Sequence, residues 1–369
     1  MIILSVQVSY KKQFVLGVML LLVLLVAFEG LLRIYDHQNP NCFFLRIEIF
    51  DNLDEDLKRS ICQDHHNIRW SYDPYLHVEP NQHYNTININ QDGFRGKEVS
   101  LEKPQDTLRV FVVGGSTIFG VGSSSDSTTV PGYLQKQYDL NSDLNVEVIN
   151  AGTPKAYSFS NGNYIKDNLI NYEPDLFIIY TGWNDLGRSE DGNYFDTKPH
   201  VYSQGLDNVI SLLLKNDYYK SINILYRNYV LWKISTVENI IVRNYVHSEQ
   251  ISENWQSTWN EVCELGKRNN FNVIITLQPL LGSGSKQLTN EENANYKLYN
   301  QHTKLSNYEI FADKLSGLDK CTKAKDLRNI FQNTNQTIFF DAGHTGDGGN
   351  ELIAKELFEL SLPILKEKN

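Results

Sequence analysis

Residues 108–120 read LRVFVVGGSTIFG, and the rest of the chain can be interpreted outward from them. Five of the first six residues, 108–113, are apolar, and the stretch is rich in β-branched side chains, as is typical of a strand buried on both faces. Two glycines then permit a sharp turn, which leaves Ser116 at the start of the following helix. Backbone N–H groups at such a turn can face an oxyanion that forms beside the hydroxyl. The stretch therefore predicts a strand, a turn and an exposed serine.

Four more short apolar runs repeat this pattern along the chain. They are LNVEVIN (144–150), DLFIIY (175–180), FNVIITL (271–277) and TIFF (337–340). Helix-compatible stretches separate or follow these runs, at 130–138, 161–171, 253–269 and 349–360. Strands that alternate with helices form a parallel sheet covered on both faces. We predict a three-layer α/β/α domain with about five parallel strands, whose ligands bind beyond the carboxyl ends of the strands.

Polar residues follow these runs where chemistry is expected. Gly152 follows the second run and can offer its N–H to a carbonyl oxygen, and the amide of Asn184 follows the third. Asp341 and His344 follow the last run. A serine is a poor nucleophile until a neutral imidazole takes its proton, and a carboxylate must fix the tautomer of that imidazole. We therefore expect Ser116, His344 and Asp341 to be catalytic, with Ser116, Gly152 and Asn184 as the oxyanion hole.

Each residue alone also has an ordinary structural explanation. Ser116 could simply cap a helix, Asn184 could cap a turn, and His344 could be a surface histidine. Their occurrence in order, each directly after a predicted strand of one domain, favours the catalytic interpretation.

These residues carry a resemblance to the SGNH (GDSL-like) hydrolases, a family named for serine, glycine, asparagine and histidine in four sequence blocks. Ser116 matches the first block, with Gly-Gly-Ser-Thr in place of Gly-Asp-Ser-Leu, and Gly152 matches the second. Asn184 in Gly-x-Asn-Asp matches the third block, and Asp341 with His344 matches the final Asp-x-x-His. The match covers about residues 105 to 365 by the order of blocks. It implies an SGNH or flavodoxin-like sheet and a serine hydrolase that needs no metal or cofactor.

Other features extend or depart from this resemblance. The stretch TININQDGFRG (86–96) resembles a lead-in found in anchored members, where Arg95 could bind an anionic substrate or support the domain. Pro154, Lys155 and Ala156 occupy a place where the family often has a further glycine. An insertion at about 190–250 has no counterpart. Its second half, 221–245, could be an amphipathic helix over the site or against lipid, or a helix packed on the core.

The N-terminal segment 14–32 is almost continuously apolar and about as long as a membrane-spanning helix. Lys11 and Lys12 precede it, so the positive-inside rule places the N-terminus in the cytoplasm and the catalytic domain outside. A cleaved signal peptide or a buried helix are the alternatives. We expect a cytoplasmic tail (1–13), a transmembrane helix (14–34), a juxtamembrane region of short strands and turns (35–104) and the hydrolase domain (105–369).

Four cysteines and an acidic charge balance complete the sequence evidence. Export would permit disulfides between Cys42 and Cys62 and between Cys263 and Cys321, although free thiols are also compatible with the sequence. The formal net charge of −10 and the pI near 5.4 argue against nucleic acid as a partner.

The function expected from the sequence is a membrane-anchored esterase that cleaves small acyl esters, such as acetyl esters, of extracytoplasmic carbohydrate or lipid. An O-acetyltransferase acting on envelope glycans and a catalytically silent glycan-binding protein are the alternatives. Neither oligomeric state nor natural substrate follows from the sequence.

Overall fold

The computed structural model describes residues 9–38, 42, 45, 47–71, 75, 77–186, 248–299 and 301–368. The chain divides into two compact units, of which one comprises residues 1–41 and 198–243 and the other comprises 42–197 and 244–369. The first unit contains helix α1 (Tyr10–Gln38). Its stretch Tyr10–Tyr35 is long and apolar enough to cross a membrane, a property that signal sequences share. The helical insertion expected at 190–250 lies outside the described residues, apart from 248–250.

The second unit is built around a five-stranded parallel sheet, which confirms the expected fold class. Its strands are β3 (Leu108–Gly114), β4 (Val146–Gly152), β5 (Leu176–Thr181), β6 (Asn272–Leu277) and β7 (Lys323–Asp326). They lie in the order β4-β3-β5-β6-β7. This is a doubly wound order, in which the chain reverses direction across the sheet beside β3. Ligands of such sheets bind at the carboxyl edge near this reversal, where Ser116 lies.

Helices cover both faces of the sheet. In chain order the described helices of this unit are α2 (Glu55–Asn67), α3 (Ser116–Phe119), α4 (Val130–Asn141), α5 (Ser158–Asp167), α6 (Trp183–Leu186), α7 (Ser248–Asn269), α8 (Asn290–Leu298), α9 (Gln301–Lys314) and α10 (Asp347–Lys368). A short antiparallel hairpin, β1 (Gln82–His83) with β2 (Asn88–Ile89), precedes the sheet. The predicted stretches at 130–138, 161–171, 253–269 and 349–360 correspond to α4, α5, α7 and α10.

The alternation of side chains along β3 explains why its sequence is apolar at every position from 110 to 113. Phe111 and Val113 pack in the core under α5, α7 and α9, whereas Val110 and Val112 pack in the core under α4 and α10. All four are fully buried. Because successive strand residues point to opposite faces, a strand covered on both sides needs apolar residues at every position. Each such side chain contributes about 1.5–3 kcal/mol through burial.

The assignment of residues 337–340 as the fifth strand was wrong. The fifth strand is β7, whose sequence KAKD is polar because an edge strand is partly exposed and edge lysines oppose strand pairing with other chains. Residues 337–340 instead form a buried loop with a single bridge between Phe339 and Thr345. Asp341 and His344 therefore follow this loop rather than a strand of the sheet.

Among the described residues, this loop has no neighbouring strand to accept hydrogen bonds from its backbone N–H groups, and a buried carboxylate accepts them instead. Glu292 accepts hydrogen bonds from the backbone N–H groups of Ile338 (2.9 Å) and Phe339 (3.3 Å). Its other oxygen lies 2.6 Å from Nζ of Lys286, and both charged side chains are almost fully buried. The pair thus satisfies backbone donors that would otherwise be buried without partners.

The region before the sheet contains short strands, as expected, in β1 and β2, and it also contains helix α2, which was not expected. Asp54 caps this helix by accepting a hydrogen bond from the N–H of Leu57 (2.7 Å), and Glu55 and Asp56 complement the helix dipole. Both disulfides that the sequence permitted are formed, Cys42 with Cys62 and Cys263 with Cys321.

We expect Glu292→Gln to lower the free energy of unfolding by about 3–5 kcal/mol, because it leaves the ammonium of Lys286 buried without a counter-charge. Urea denaturation of the purified protein measures the change. The matched control is Glu309→Gln, which removes a 62% exposed partner of Arg328 and should cost less than about 1 kcal/mol. Equal losses in both variants would contradict the role given to the buried pair.

Candidate active site

The position of Ser116 depends on the close approach of helix α6, which carries Asn184, to Gly115. Ser116 begins helix α3 directly after β3, with Gly115 as the preceding residue. A Cβ atom on Gly115 would lie 2.5 Å from Nδ2 of Asn184, so only glycine lets the third sequence block approach the first. The first N–H groups of a helix have no partner within the helix, which leaves the N–H of Ser116 available to a ligand.

The structure brings Ser116, His344 and Asp341 together in one hydrogen-bonded chain. Oγ of Ser116 lies 2.6 Å from Nε2 of His344, and Nδ1 of His344 lies 2.6 Å from Oδ2 of Asp341. The tautomer that satisfies both contacts carries its proton on Nδ1 and accepts the serine proton at Nε2. This is the arrangement in which an imidazole can act as a base toward a hydroxyl.

The environment of Asp341 keeps it ionised. Burial acts to raise its pKa, but His344 and two backbone N–H groups outweigh this and hold the pKa below its usual value. Those N–H groups belong to Gly343 and His344 and donate to Oδ1 at 2.9 and 2.8 Å. The carboxylate therefore fixes both the loop and the imidazole.

Aromatic side chains lie on either side of the imidazole. The ring of Phe340 stacks on His344 with centroids 5.5 Å apart and planes 9° apart. The edge of Trp183 approaches from another direction, with centroids 4.8 Å apart. Hydrogen bonds hold the imidazole only at its two nitrogens. Apolar contacts of this kind fix the plane of the ring as well.

Asn184 and Gly152, the other expected oxyanion donors, lie at the same edge of the sheet but have partners within the protein. Nδ2 of Asn184 donates to the carbonyl oxygen of Ala156 at 2.7 Å, and the amide carries a second N–H. The N–H of Gly152 donates to Oδ1 of Asn150 at 3.0 Å. A Cβ atom on Gly152 would lie 2.2 Å from the backbone nitrogen of Phe119, so this glycine permits close packing of β4 against α3.

Three further residues at the site had no role assigned from the sequence. Lys155 has a φ of 66°, the left-handed conformation that normally favours glycine, at a place where the resemblance leads one to expect a glycine. Its Nζ lies 6.0 Å from the ring centroid of Trp70, whose side chain is 47% exposed. Asp185 is buried and accepts hydrogen bonds from the backbone N–H (3.0 Å) and hydroxyl (2.5 Å) of Ser158, which ties α5 to α6. Asp185 is the last residue of the Gly-x-Asn-Asp motif, and this motif was the sequence signal that could have identified it.

Arg95 has a structural role in the described residues. Its buried guanidinium pairs with Asp126 at 2.8 Å and donates to the carbonyl oxygens of Thr86, Phe119 and Gly120. It thereby fastens the hairpin region to the end of α3, which begins with Ser116. These bonds leave the alternative of substrate binding without support from the geometry.

Comparisons with known proteins gave matches among solved structures. No family model and no curated protein matches the chain. An acetyl xylan esterase is 14% identical and aligns with a TM-score of 0.39 over 69% of this chain and 99% of its own. A catalytic mutant of an acetylxylan esterase from Geobacillus stearothermophilus is 11% identical, with a TM-score of 0.38 over 68% of this chain and 93% of its own.

A third similar structure comes from Desulfitobacterium hafniense and is described as lipolytic and of the G-D-S-L family. It is 11% identical, with a TM-score of 0.38 over 68% of this chain and 98% of its own. Within the chain itself, the strand order β4-β3-β5-β6-β7 is doubly wound, and the residues of the four sequence blocks lie at the carboxyl edge of this sheet.

We expect Gly152→Ala to destabilise the protein by about 3 kcal/mol, because the added methyl group meets the backbone of α3 rather than a movable side chain. Thermal unfolding measures this loss of stability. Gly348→Ala is the control, as nothing lies within 4 Å of its Cβ position; a loss as large as that of Gly152→Ala would contradict the packing argument.

Proposed function

We propose that this protein is a serine esterase that works through an acyl-enzyme. The observation that carries the proposal is the hydrogen-bonded chain from Ser116 through His344 to Asp341, with 2.6 Å at each of its two contacts. A hydroxyl, an imidazole and an ionised carboxylate in this order are what acyl transfer requires.

In the proposed mechanism, Nε2 of His344 takes the proton of Ser116 as Oγ attacks the carbonyl carbon of the ester. The oxygen that becomes negative is stabilised by the N–H of Ser116 and the second N–H of Asn184. Gly152 would join them only by releasing the side chain of Asn150. Each such donor contributes about 3 kcal/mol to a transition state of this kind.

Collapse of the tetrahedral intermediate breaks the ester C–O bond, and the leaving alcohol receives the proton held by His344. Water then attacks the acyl-enzyme while His344 takes one of its protons, and the acid and the free serine are released. Asp341 remains ionised throughout and stabilises the charged imidazolium.

The surroundings of the site favour a carbohydrate ester as substrate. Trp70 is 47% exposed, and Nζ of Lys155 lies over its ring, 6.0 Å from the centroid. Lys155 precedes Ala156, whose carbonyl oxygen accepts a hydrogen bond from Asn184. The hydrogen bond between Nδ1 of His77 and the carbonyl oxygen of Pro154 (2.5 Å) holds the backbone beside Lys155 in place. A flat aromatic face with an adjacent ammonium group suits a sugar ring and its oxygens better than an alkyl chain.

We propose further that helix α1 anchors the protein, with the catalytic domain outside the cytosol. The length and apolar composition of Tyr10–Tyr35 and the lysines before its apolar core support this topology. The two disulfides also fit an oxidising compartment. An O-acetyltransferase would use the same acyl-enzyme with a sugar hydroxyl in place of water, so comparing acetate release with and without a sugar acceptor distinguishes the two activities.

We expect Ser116→Ala and His344→Ala each to lower kcat for 4-nitrophenyl acetate by about 1,000-fold or more, because members of such a triad act as a unit. A fluorophosphonate probe should label the wild type and not Ser116→Ala. Ser316→Ala and His83→Ala, which change exposed residues of the same types, are the controls. Activity retained in both site variants would end the roles assigned to Ser116 and His344. A wild type that neither hydrolyses the ester nor reacts with the probe would favour a silent glycan-binding protein.

We expect Trp70→Ala to lower kcat/KM for an acetylated oligosaccharide by about tenfold, which is roughly 1.4 kcal/mol of lost contact with the sugar. The loss for 4-nitrophenyl acetate, which has no sugar, should be much smaller. Trp70→Phe should restore most of the activity on the oligosaccharide. A uniform loss on both substrates would argue against a sugar-binding role.

A further inference from the structure

The orientation of His344 depends on a residue that takes no part in the hydrogen-bonded chain. Phe340 stacks on the imidazole with nearly parallel planes. Because Asp341 holds the ring only at Nδ1, this stacking, together with the contact from Trp183, defines the tilt of the ring and hence the direction of Nε2 toward Ser116. The Phe340 side chain is 3% exposed, so whatever packs behind it determines where it can lie.

Most of the residues behind Phe340 come from the segment that precedes the hydrolase domain. Phe50 contacts Phe340 with ring centroids 5.6 Å apart. The cluster that contains both rings also includes the buried residues Cys42, Leu45, Ile47, Ile61 and Cys62. From the domain itself, Gly122 contributes by leaving room, since a Cβ atom there would lie 2.6 Å from Cε1 of Phe340.

The same segment holds both ends of the loop that carries Asp341 and His344. At one end, the hydroxyl of Thr337 donates to Oε2 of Glu48 at 2.9 Å. At the other end, Ile49 packs so closely on Gly346 that a Cβ atom there would lie 2.9 Å from it. Residues 48–50 thus contact the start, the middle and the end of one catalytic loop.

A disulfide closes this segment on itself. Cys42 and Cys62 are 20 residues apart, are both buried, and join the chain before residues 48–50 to helix α2. Reduction by a dithiol would convert the bond into two thiols, with two electrons and two protons supplied by the reductant. The constraint on residues 48–50 would then be lost while the rest of the sheet domain kept its own contacts.

Helix α2 brings a second histidine near the site without adding charge to it. Burial first, and then the charges of His66, His344 and Arg95, lower the pKa of His65 to about 4. It is therefore neutral at pH 7. His65 therefore adds no positive charge beside His344.

We propose that residues 42–62 form part of the catalytic apparatus, as a disulfide-closed support that orients His344 through Phe340. Phe50 and Phe340 are positioning residues, and the Cys42–Cys62 bond makes full activity conditional on oxidation. This inference rests on the proposed function, because it assumes that His344 is the base. It implies that a chain retained in a reducing compartment is folded around its sheet but works slowly.

The first test uses the full chain in detergent and 4-nitrophenyl acetate. We expect Phe50→Ala and Phe340→Ala each to lower kcat by about tenfold or more with KM changed less than twofold, because orientation of the base affects the chemical step. The double variant should lose little more than either single one, as both act on one contact chain. Phe50→Leu should restore most of kcat. Phe311→Leu, a buried aromatic in the other core, is the control.

The second test concerns the disulfide. Cys42→Ser/Cys62→Ser should reproduce the loss of kcat seen in Phe50→Ala and should make the activity insensitive to dithiothreitol. Wild type should lose activity with dithiothreitol and regain it with oxidised glutathione. Cys263→Ser/Cys321→Ser, which removes the other disulfide, should still respond to the reductant.

The outcomes separate this inference from the proposed function. Absence of hydrolysis that depends on Ser116 would end both. Hydrolysis that depends on Ser116 but keeps its kcat in Phe50→Ala and in Cys42→Ser/Cys62→Ser would end only the inference. If the cysteine variant does not fold, as judged by near-ultraviolet circular dichroism, the split between kcat and KM in Phe50→Ala and its recovery in Phe50→Leu decide the matter.

Discussion

The contact between Oγ of Ser116 and Nε2 of His344 is the interaction on which the site depends. The two residues are 228 positions apart, so nearly the whole sheet domain must fold before the hydroxyl and the imidazole can meet. Ser116 is held by the sheet itself, because it follows the strand β3 that lies between two neighbours. His344 is held by a loop, and the precision of the contact is therefore set by whatever fixes that loop.

Three different forces fix it. The ion pair of Glu292 and Lys286 supplies hydrogen-bond acceptors to the backbone at the beginning of the loop. Asp341 draws the backbone of Gly343 and His344 into a tight turn. Aromatic packing by Phe340 and Trp183 then limits the imidazole on two sides. Glu292 accepts hydrogen bonds from backbone N–H groups two and three residues before Asp341, and Asp341 accepts them from backbone N–H groups two and three residues after itself.

The segment before the sheet is part of the same folded domain rather than a separate spacer. Its composition suggests a spacer between a membrane helix and an enzyme, but residues 42–67 pack on the catalytic loop and on the hairpin region. Arg95 in the same region supports the end of helix α3. Ser116 and His344, the proposed nucleophile and base, are therefore both supported by residues that precede β3.

The sequence by itself determined four of the five strands of the sheet and the residue types of the site. Apolar runs such as 108–113 identify buried strands because both faces of a parallel sheet are covered, and Gly115 with Ser116 marks a turn with a hydroxyl at its tip. Residues 337–340 were wrongly predicted to be a strand, because a buried loop and a buried strand are equally apolar. The two differ only in which group accepts the hydrogen bonds from their backbone N–H groups. That acceptor, Glu292, is 46 residues away from Ile338. Only the tertiary structure decided the position of β7, the partners of Gly152 and Asn184, and the packing of Phe50 behind Phe340, because each depends on contacts between segments whose spacing in the sequence carries no periodic signal.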